Sequence, residues 1–132
     1  MTVLRGSVGD GDPLVRLTLL HPSGRRVAET AVVDTGQHAA VSLPKVLFAE
    51  MARGRAEFGA TALGDGTIVP HREAVIAVEF CGVDVRVTAN DLGEDILIGM
   101  ALHAGHRLTV ECREGGAVMI EPLSQSHPDA AP

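Results

Sequence analysis

The sequence predicts a single, mostly β domain with one or two short helices. A chain of 132 residues suits one domain with its own core. Hydrophobic residues make up 45% of the chain and aromatic residues only 2%, so Val, Leu, Ile and Ala must fill that core. Branched aliphatic side chains favour strands. Short apolar or alternating runs, separated by glycine-containing turn signals, complete the prediction.

The first predicted elements are a hairpin and a short helix. Residues 14–20 alternate well enough for a strand, residues 21–24 (His-Pro-Ser-Gly) are typical of a turn, and residues 26–33 form the returning strand. Pro44 suits the first position of a helix, and the helix formers of residues 45–53 continue until a glycine. This hairpin delivers the residue after position 33 to a loop.

Two more hairpins are predicted in the middle of the chain. Residues 57–63 and 67–70 flank a Gly-Asp-Gly sequence at 64–66, which is a tight-turn signal. Residues 73–80 and 83–88 alternate apolar and polar side chains around a Cys-Gly pair. Both segments therefore indicate antiparallel strand pairs.

The last predicted elements are a buried strand, a helical turn and a hairpin. Ile96–Ile98 is a continuous apolar run, which indicates a strand buried on both faces, and residues 99–104 can form one helical turn. Residues 108–112 and 117–121 flank a glycine pair and predict the final hairpin.

The domain is assigned to residues 1–123, and the polar, proline-rich residues 124–132 are predicted to be a disordered tail. The N-terminus lacks a basic segment followed by an apolar stretch, and no apolar run approaches the length of a membrane span. A cytoplasmic protein without membrane contact is therefore expected.

A formal net charge of −6 argues against nucleic-acid binding, because phosphate backbones attract clustered Lys and Arg. The scarcity of aromatic residues argues the same way, since bases stack on aromatic rings. Cys81 and Cys112 are expected to be buried and reduced. Without CxxC or HxxxH spacing, no metal site and no cofactor are expected.

The most informative motif is Asp34-Thr35-Gly36, which directly follows the apolar residues 31–33. Aspartate is disfavoured in strands, so an aspartate at the end of a buried strand needs a reason. The glycine allows a tight reversal and the threonine hydroxyl can hydrogen-bond locally, which would present the carboxylate outward. A second apolar run closed by glycine, Ile98-Gly99, follows later in the chain.

Residues 34–44 (Asp-Thr-Gly-Gln-His-Ala-Ala-Val-Ser-Leu-Pro) resemble the retropepsin-like (clan AA) aspartic proteases, in their short prokaryotic form with one Asp-Thr-Gly per chain. Residues 62–67 resemble the flap of that family, and residues 96–102 its later core. The likeness covers roughly residues 14 to 123. Gln37 and Ala39 depart from the family pattern, which usually has an apolar or small residue and a glycine there.

The resemblance implies a retropepsin-like closed β-barrel and roles for particular residues. Asp34 would be catalytic, Thr35 would hydrogen-bond across a two-fold axis to the opposite loop, and Gly36 would permit close approach of substrate or partner backbone. The implied flap and substrate-binding residues are Leu63, Gly64, Asp65, Gly66 and Ile68, and the second glycine motif is Ile98 and Gly99.

The chemistry of this class needs two carboxylates that share one proton. The chain carries a single Asp-Thr-Gly, so the implied enzyme is a homodimer joined through its Asp34-Thr35-Gly36 loops. This aspartic endopeptidase would bind an extended peptide as an added strand. The aliphatic composition favours apolar pockets for small or branched side chains.

Two alternatives remain open at this stage. The first is a catalytically silent module of the same fold that dimerises or binds peptide. The second is a small-molecule or metal-binding β-barrel, for which His103 and His106 would have to be ligands.

Other polar or conspicuous residues have simpler interpretations. Residues 10–12 (Asp-Gly-Asp) lack the later glutamate of a calcium loop and indicate a turn. His38 is interpreted as a solvated loop residue, with a position near the two-fold axis as the alternative, and Met100 as part of the core. Asp91, Glu94 and Asp95 are interpreted as a solvated acidic turn.

Overall fold

The computed structural model describes residues 2–124, so the predicted tail lies outside the described residues except for Ser124. The described chain is mostly β with two short helices, as predicted. Its elements are β1 (Leu4–Gly9), β2 (Asp12–Leu20), β3 (Arg26–Val33), β4 (Val41–Ser42), α1 (Lys45–Ala52), β5 (Glu57–Ala62), β6 (Ile68–Phe80), β7 (Val83–Asn90), β8 (Ile96–Ile98), α2 (Met100–His103), β9 (His106–Val110) and β10 (Ala117–Pro122).

The strands hydrogen-bond in the order β5-β6-β7-β4-β8-β3-β2-β1-β10-β9. The end of β2 also pairs with β6, where Leu19 lies opposite Val78. The hydrogen-bonded pairings therefore lead from β2 through β3, β8, β4, β7 and β6 and back to β2. Fully buried side chains from these strands form the core, among them Leu17, Leu19, Val78 and Ile98.

The short strand β8 lies between the two strands that flank the Asp34 loop. It runs parallel to β3, with Val33 opposite Ile98, and antiparallel to β4, with Val41 opposite Ile98. Ile98 is completely buried between them. A continuous apolar strand is what this position requires, because both of its faces and both of its edges are covered.

The predicted hairpins, helix and helical turn are confirmed, but three strands differ from the prediction. The strands β1 and β4 were not predicted, because each is defined by its pairing partners and not by an apolar pattern of its own. The strand β6 is continuous through Pro70, which the sequence placed at the end of a shorter strand. Pro70 lies opposite Ala60, and its half of β6 pairs with β5 alone, so one edge stays free.

Three predictions about single residues are wrong. Cys81 is buried as expected, but Cys112 is exposed, and both thiols are free. Met100 is 48% exposed and does not belong to the core. Asp91 is buried and not solvated: its carboxylate accepts the Arg72 N–H at 3.0 Å and the Lys45 ammonium at 3.3 Å.

These contacts change the acidity of the buried carboxylate. Burial favours the protonated form of Asp91, but the hydrogen bonds from Arg72 and Lys45 outweigh it and hold the pKa below the usual aspartate value. The residue thereby ties the end of β7 to β6 and to α1. Within residues 2–124, neither helix has the length and apolar character to cross a membrane.

Candidate active site

Asp34 is the first residue beyond β3, where the chain turns away from the sheet. Its backbone N–H donates to the Ile98 carbonyl at 2.9 Å, which extends the parallel pairing of β3 and β8. Its carboxylate oxygen Oδ1 accepts the Gly36 N–H at 3.0 Å, and its carbonyl accepts the Gln37 N–H at 3.2 Å. The chain therefore reverses tightly at Gly36, as the Asp-Thr-Gly sequence predicted, and Asp34 is half-buried.

Backbone N–H groups at the start of α2 hydrogen-bond to the carbonyls of this loop. Gly99 donates to Ala40 at 2.9 Å, Met100 to Gln37 at 2.8 Å, and Ala101 to the His38 carbonyl at 3.1 Å. These N–H groups have no hydrogen-bond partner within the helix. The loop carbonyls accept from them, so the donors of α2 and the acceptors of the loop are both hydrogen-bonded.

The glycine at position 99 is required by close packing. A Cβ there would lie 1.9 Å from the Ala39 carbonyl oxygen and 2.8 Å from that of Gln37. No side chain fits in this space, so the second glycine motif serves to let the Asp34 loop rest on the start of α2. Ile98 and Gly99 thus position the loop from its buried side.

Gln37, which departs from the family pattern, is fixed to its own loop. Its side-chain oxygen accepts the Ser42 hydroxyl at 2.9 Å, and its amide nitrogen lies 3.4 Å from the Ala39 carbonyl. Ser42 is buried, so this contact couples the loop to β4. The departure therefore adds a brace to the loop and leaves the Asp34 carboxylate in place.

A hairpin formed by β5 and β6 lies opposite the loop. At its tip Leu63 donates to Thr67 at 2.7 Å, and Gly66 donates to the Leu63 carbonyl at 2.9 Å with a φ of 88°, a conformation that favours glycine. The Asp65 carboxylate accepts the Thr67 N–H at 2.9 Å, and this bond lowers the pKa of Asp65. The predicted hairpin at residues 62–70 is confirmed.

A cleft of about 760 Å³ separates the Asp34 loop from this hairpin. Asp34 and Gly36 line one side, and Leu63 and Gly64 line the other. Thr35 is exposed. Of the other predicted flap residues, Asp65, Gly66 and Ile68 are exposed and do not line the cleft.

A second cavity of about 420 Å³ adjoins the cleft and is called the side pocket below. Both spaces are lined by His38, Ala39, Ala60, Thr61 and Asn90. The side pocket is also lined by His71 and Glu73, which the sequence analysis missed, and by Ala40, Val87, Thr88, Ala89 and Ala101. Its lining therefore combines polar side chains with small apolar ones.

Three polar side chains in the side pocket form a hydrogen-bonded row. The hydroxyl of Thr61 lies 3.2 Å from Nδ1 of His71, and Nε2 of His71 lies 3.2 Å from the Glu73 carboxylate. Because His71 and Glu73 are two residues apart on one strand, they share a face. This His-x-Glu spacing was the available sequence signal.

Nδ1 of both His103 and His106 is engaged by a backbone carbonyl. Nδ1 of His103 contacts the Gly99 carbonyl at 2.8 Å, and Nδ1 of His106 contacts the Ala104 carbonyl at 2.9 Å. Both rings pack edge-on against Phe80. Burial lowers the pKa of His103, and within residues 2–124 no cluster of three or more metal-binding side chains occurs.

Comparisons with protein-family models, with curated proteins and with solved structures found no match. A carboxylate on a braced loop, in a cleft of about 760 Å³ beneath a hairpin, is positioned for acid or base chemistry on a bound ligand.

Proposed function

We propose that the protein is an aspartic endopeptidase that acts as a homodimer, with one Asp34 contributed by each chain. The observation that carries the proposal is the Asp34 carboxylate, presented on a braced loop to the cleft beneath the β5–β6 hairpin. The likeness of residues 34–44 and 96–102 to retropepsin-like proteases supports it. The strand pairings that lead from β2 back to β2 support a closed barrel of that type.

The homodimer follows from the number of acids that the reaction needs. Within residues 2–124 no other carboxylate lines the cleft beside Asp34, so a second acid has to come from a second chain. Thr35 and Gly36 are exposed at the tip of the loop, where a two-fold contact between loops would bury them. The free thiols of Cys81 and Cys112 are in keeping with a cytoplasmic enzyme.

In the proposed reaction, two adjacent Asp34 carboxyls share one proton, because close like charges cannot both ionise easily. The ionised carboxylate takes a proton from a water molecule, whose oxygen attacks the scissile carbonyl carbon. The protonated carboxyl donates a hydrogen bond to the carbonyl oxygen as it gains charge. The C–N bond then breaks, and the departing amine receives the proton taken from water.

The test is digestion of an unstructured protein at several pH values from acidic to neutral, with and without a statine-type transition-state analogue. Wild-type protein is expected to produce fragments, and both the analogue and Asp34→Asn are expected to abolish them. The introduced amide keeps an oxygen that can accept the Gly36 N–H, so the variant should fold normally. Cleavage that survives in Asp34→Asn would overturn the assignment.

The catalytically silent module predicts a different pattern. It would bind extended peptides, or dimerise, equally well in wild-type protein and in Asp34→Asn, and neither protein would release fragments. Sedimentation of both proteins, measured beside the digestion, separates this outcome from an enzyme that is inactive because it is monomeric.

A further inference from the structure

We infer that the side pocket is a substrate subsite that binds a basic side chain, lysine or arginine, of the extended peptide. The inference rests on the proposed function, because it assigns the side pocket to the same ligand that occupies the Asp34 cleft. The two spaces share five lining residues, so a side chain of a peptide in the cleft can enter the pocket.

The hydrogen-bond directions in the pocket leave acceptors for a ligand. A carboxylate only accepts, so Nε2 of His71 donates to Glu73, and in the neutral ring Nδ1 then accepts the Thr61 hydroxyl. The donors of Thr61 and His71 are used within the row. Within residues 2–124 the second carboxylate oxygen of Glu73 accepts no hydrogen bond, and both Glu73 and Thr61 line the side pocket.

The charge of the row also favours a cation. Glu73 is the one acidic residue among those that line the side pocket. Among the residues that line the side pocket there is no lysine or arginine, whereas Arg55 and Arg86 line a neighbouring cavity together with Glu73. Glu57 lies directly opposite Glu73 on β5 and adds a like charge. An acidic ligand side chain would therefore be repelled.

The shape of the pocket fits a long side chain with a polar end. Its walls carry the small apolar side chains of Ala40, Ala60, Ala89 and Ala101, which can cover a methylene stem. Lysine and arginine bury such stems along apolar surface while their charged ends seek an acceptor. A volume of about 420 Å³ accommodates either side chain.

The row is built over a glycine. A Cβ at Gly59 would lie 2.9 Å from the Glu73 carboxylate carbon and 3.0 Å from Nε2 of His71. The β5 residue beneath the His71–Glu73 pair therefore has to lack a side chain for the pair to keep this geometry. The side chain of His71 is only 4% exposed, which fixes its orientation.

The test measures peptide binding to the Asp34→Asn protein by fluorescence anisotropy, so that cleavage does not interfere. One peptide frame is varied at each position in turn with lysine, norleucine or glutamate. Norleucine keeps the stem of lysine without its ammonium group. At one position lysine is expected to bind about tenfold more tightly than norleucine, as a charge-assisted hydrogen bond requires.

Three further variants, made in the same Asp34→Asn background, show which residues cause the preference for lysine. Glu73→Gln is expected to abolish it, and Gly59→Ala to reduce it by displacing the His71–Glu73 pair. Glu50→Gln, which removes an exposed charge on α1 outside both cavities, is expected to retain it. Circular dichroism shows whether each variant is folded, and Thr61→Val replaces any variant that is not.

The outcomes separate this inference from the proposed function. Equal affinity for lysine and norleucine at every position, or a preference that survives Glu73→Gln, would overturn the basic subsite. Cleavage by wild-type protein without a basic preference would overturn the subsite and support the peptidase. A lysine preference in binding, with no cleavage by wild-type protein, would support the subsite and overturn the peptidase.

Discussion

Replacement of Gly99 by alanine tests how the Asp34 loop is held. The added Cβ would lie 1.9 Å from the Ala39 carbonyl oxygen, whereas Cβ contacts under 3.0 Å essentially do not occur. The contact is with backbone and not with a flexible side chain, so no rotamer change can relieve it. The loop would have to move away from α2 by more than an ångström.

The cost follows from what that movement breaks. The Gly99, Met100 and Ala101 N–H groups would each lose a loop carbonyl, and a net hydrogen bond contributes about 0.5–1.5 kcal/mol. Partial relaxation retains some of them, while overpacking itself costs about 1–3 kcal/mol. We expect a loss of about 2–4 kcal/mol in the free energy of unfolding, which a domain with a stability of about 5–15 kcal/mol survives.

Denaturant unfolding measures the total loss, and amide exchange at Met100 and Ala101 shows where it occurs. Gly6→Ala is the matched control, because its Cβ would lie 1.8 Å from a carbonyl oxygen in the β1–β2 pair, away from the cleft. It should destabilise comparably without selective exposure of the two α2 amides. An unchanged unfolding midpoint for Gly99→Ala would refute the argument that this close approach holds the loop.

Three other predictions concern the interface, the hairpin and the buried carboxylate. Thr35→Val should weaken the proposed dimer by about 1–3 kcal/mol per lost hydrogen bond, whereas Thr35→Ser should be nearly neutral. Equal dimer dissociation constants for the two variants, measured by sedimentation, would contradict this. Amides of residues 62–69 should exchange rapidly and become protected with a statine-type inhibitor, and high protection without inhibitor would count against a flap. The lowered pKa of Asp91 means that its stabilisation is present above the usual aspartate pKa and is lost as pH falls through the lower folded value. Asp91→Asn should therefore cost about 1–3 kcal/mol at neutral pH and progressively less as pH falls through the folded pKa, and a cost independent of pH would show that the charge is unimportant.

Local sequence patterns were sufficient for the elements with their own periodicity or turn chemistry. The β2–β3 hairpin, α1 and the turn at residues 64–66 each carry alternation, helix formers or glycines that act within a few residues. The placement of Asp34 at the end of β3 followed in the same way. These features depend little on distant parts of the chain.

The features that were missed depend on long-range pairing. β4 has two residues and becomes a strand through β7 and β8, which come from much later in the chain. Asp91 is acidic and follows a strand, but its burial depends on α1 and β6 packing around it. Thr61 contacts the His71–Glu73 pair because of the register between β5 and β6, in which Thr61 lies opposite Val69.

The braces around Asp34 leave its charge available for the chemistry proposed here. The loop backbone is held by α2, and its side chain Gln37 is held by Ser42, yet in residues 2–124 the carboxylate accepts one backbone N–H and forms no ion pair. A neighbouring lysine or arginine would favour ionisation of both acids and oppose proton sharing. Two Asp34 carboxylates from two chains can share a proton when each is held rigidly and has no cation beside it.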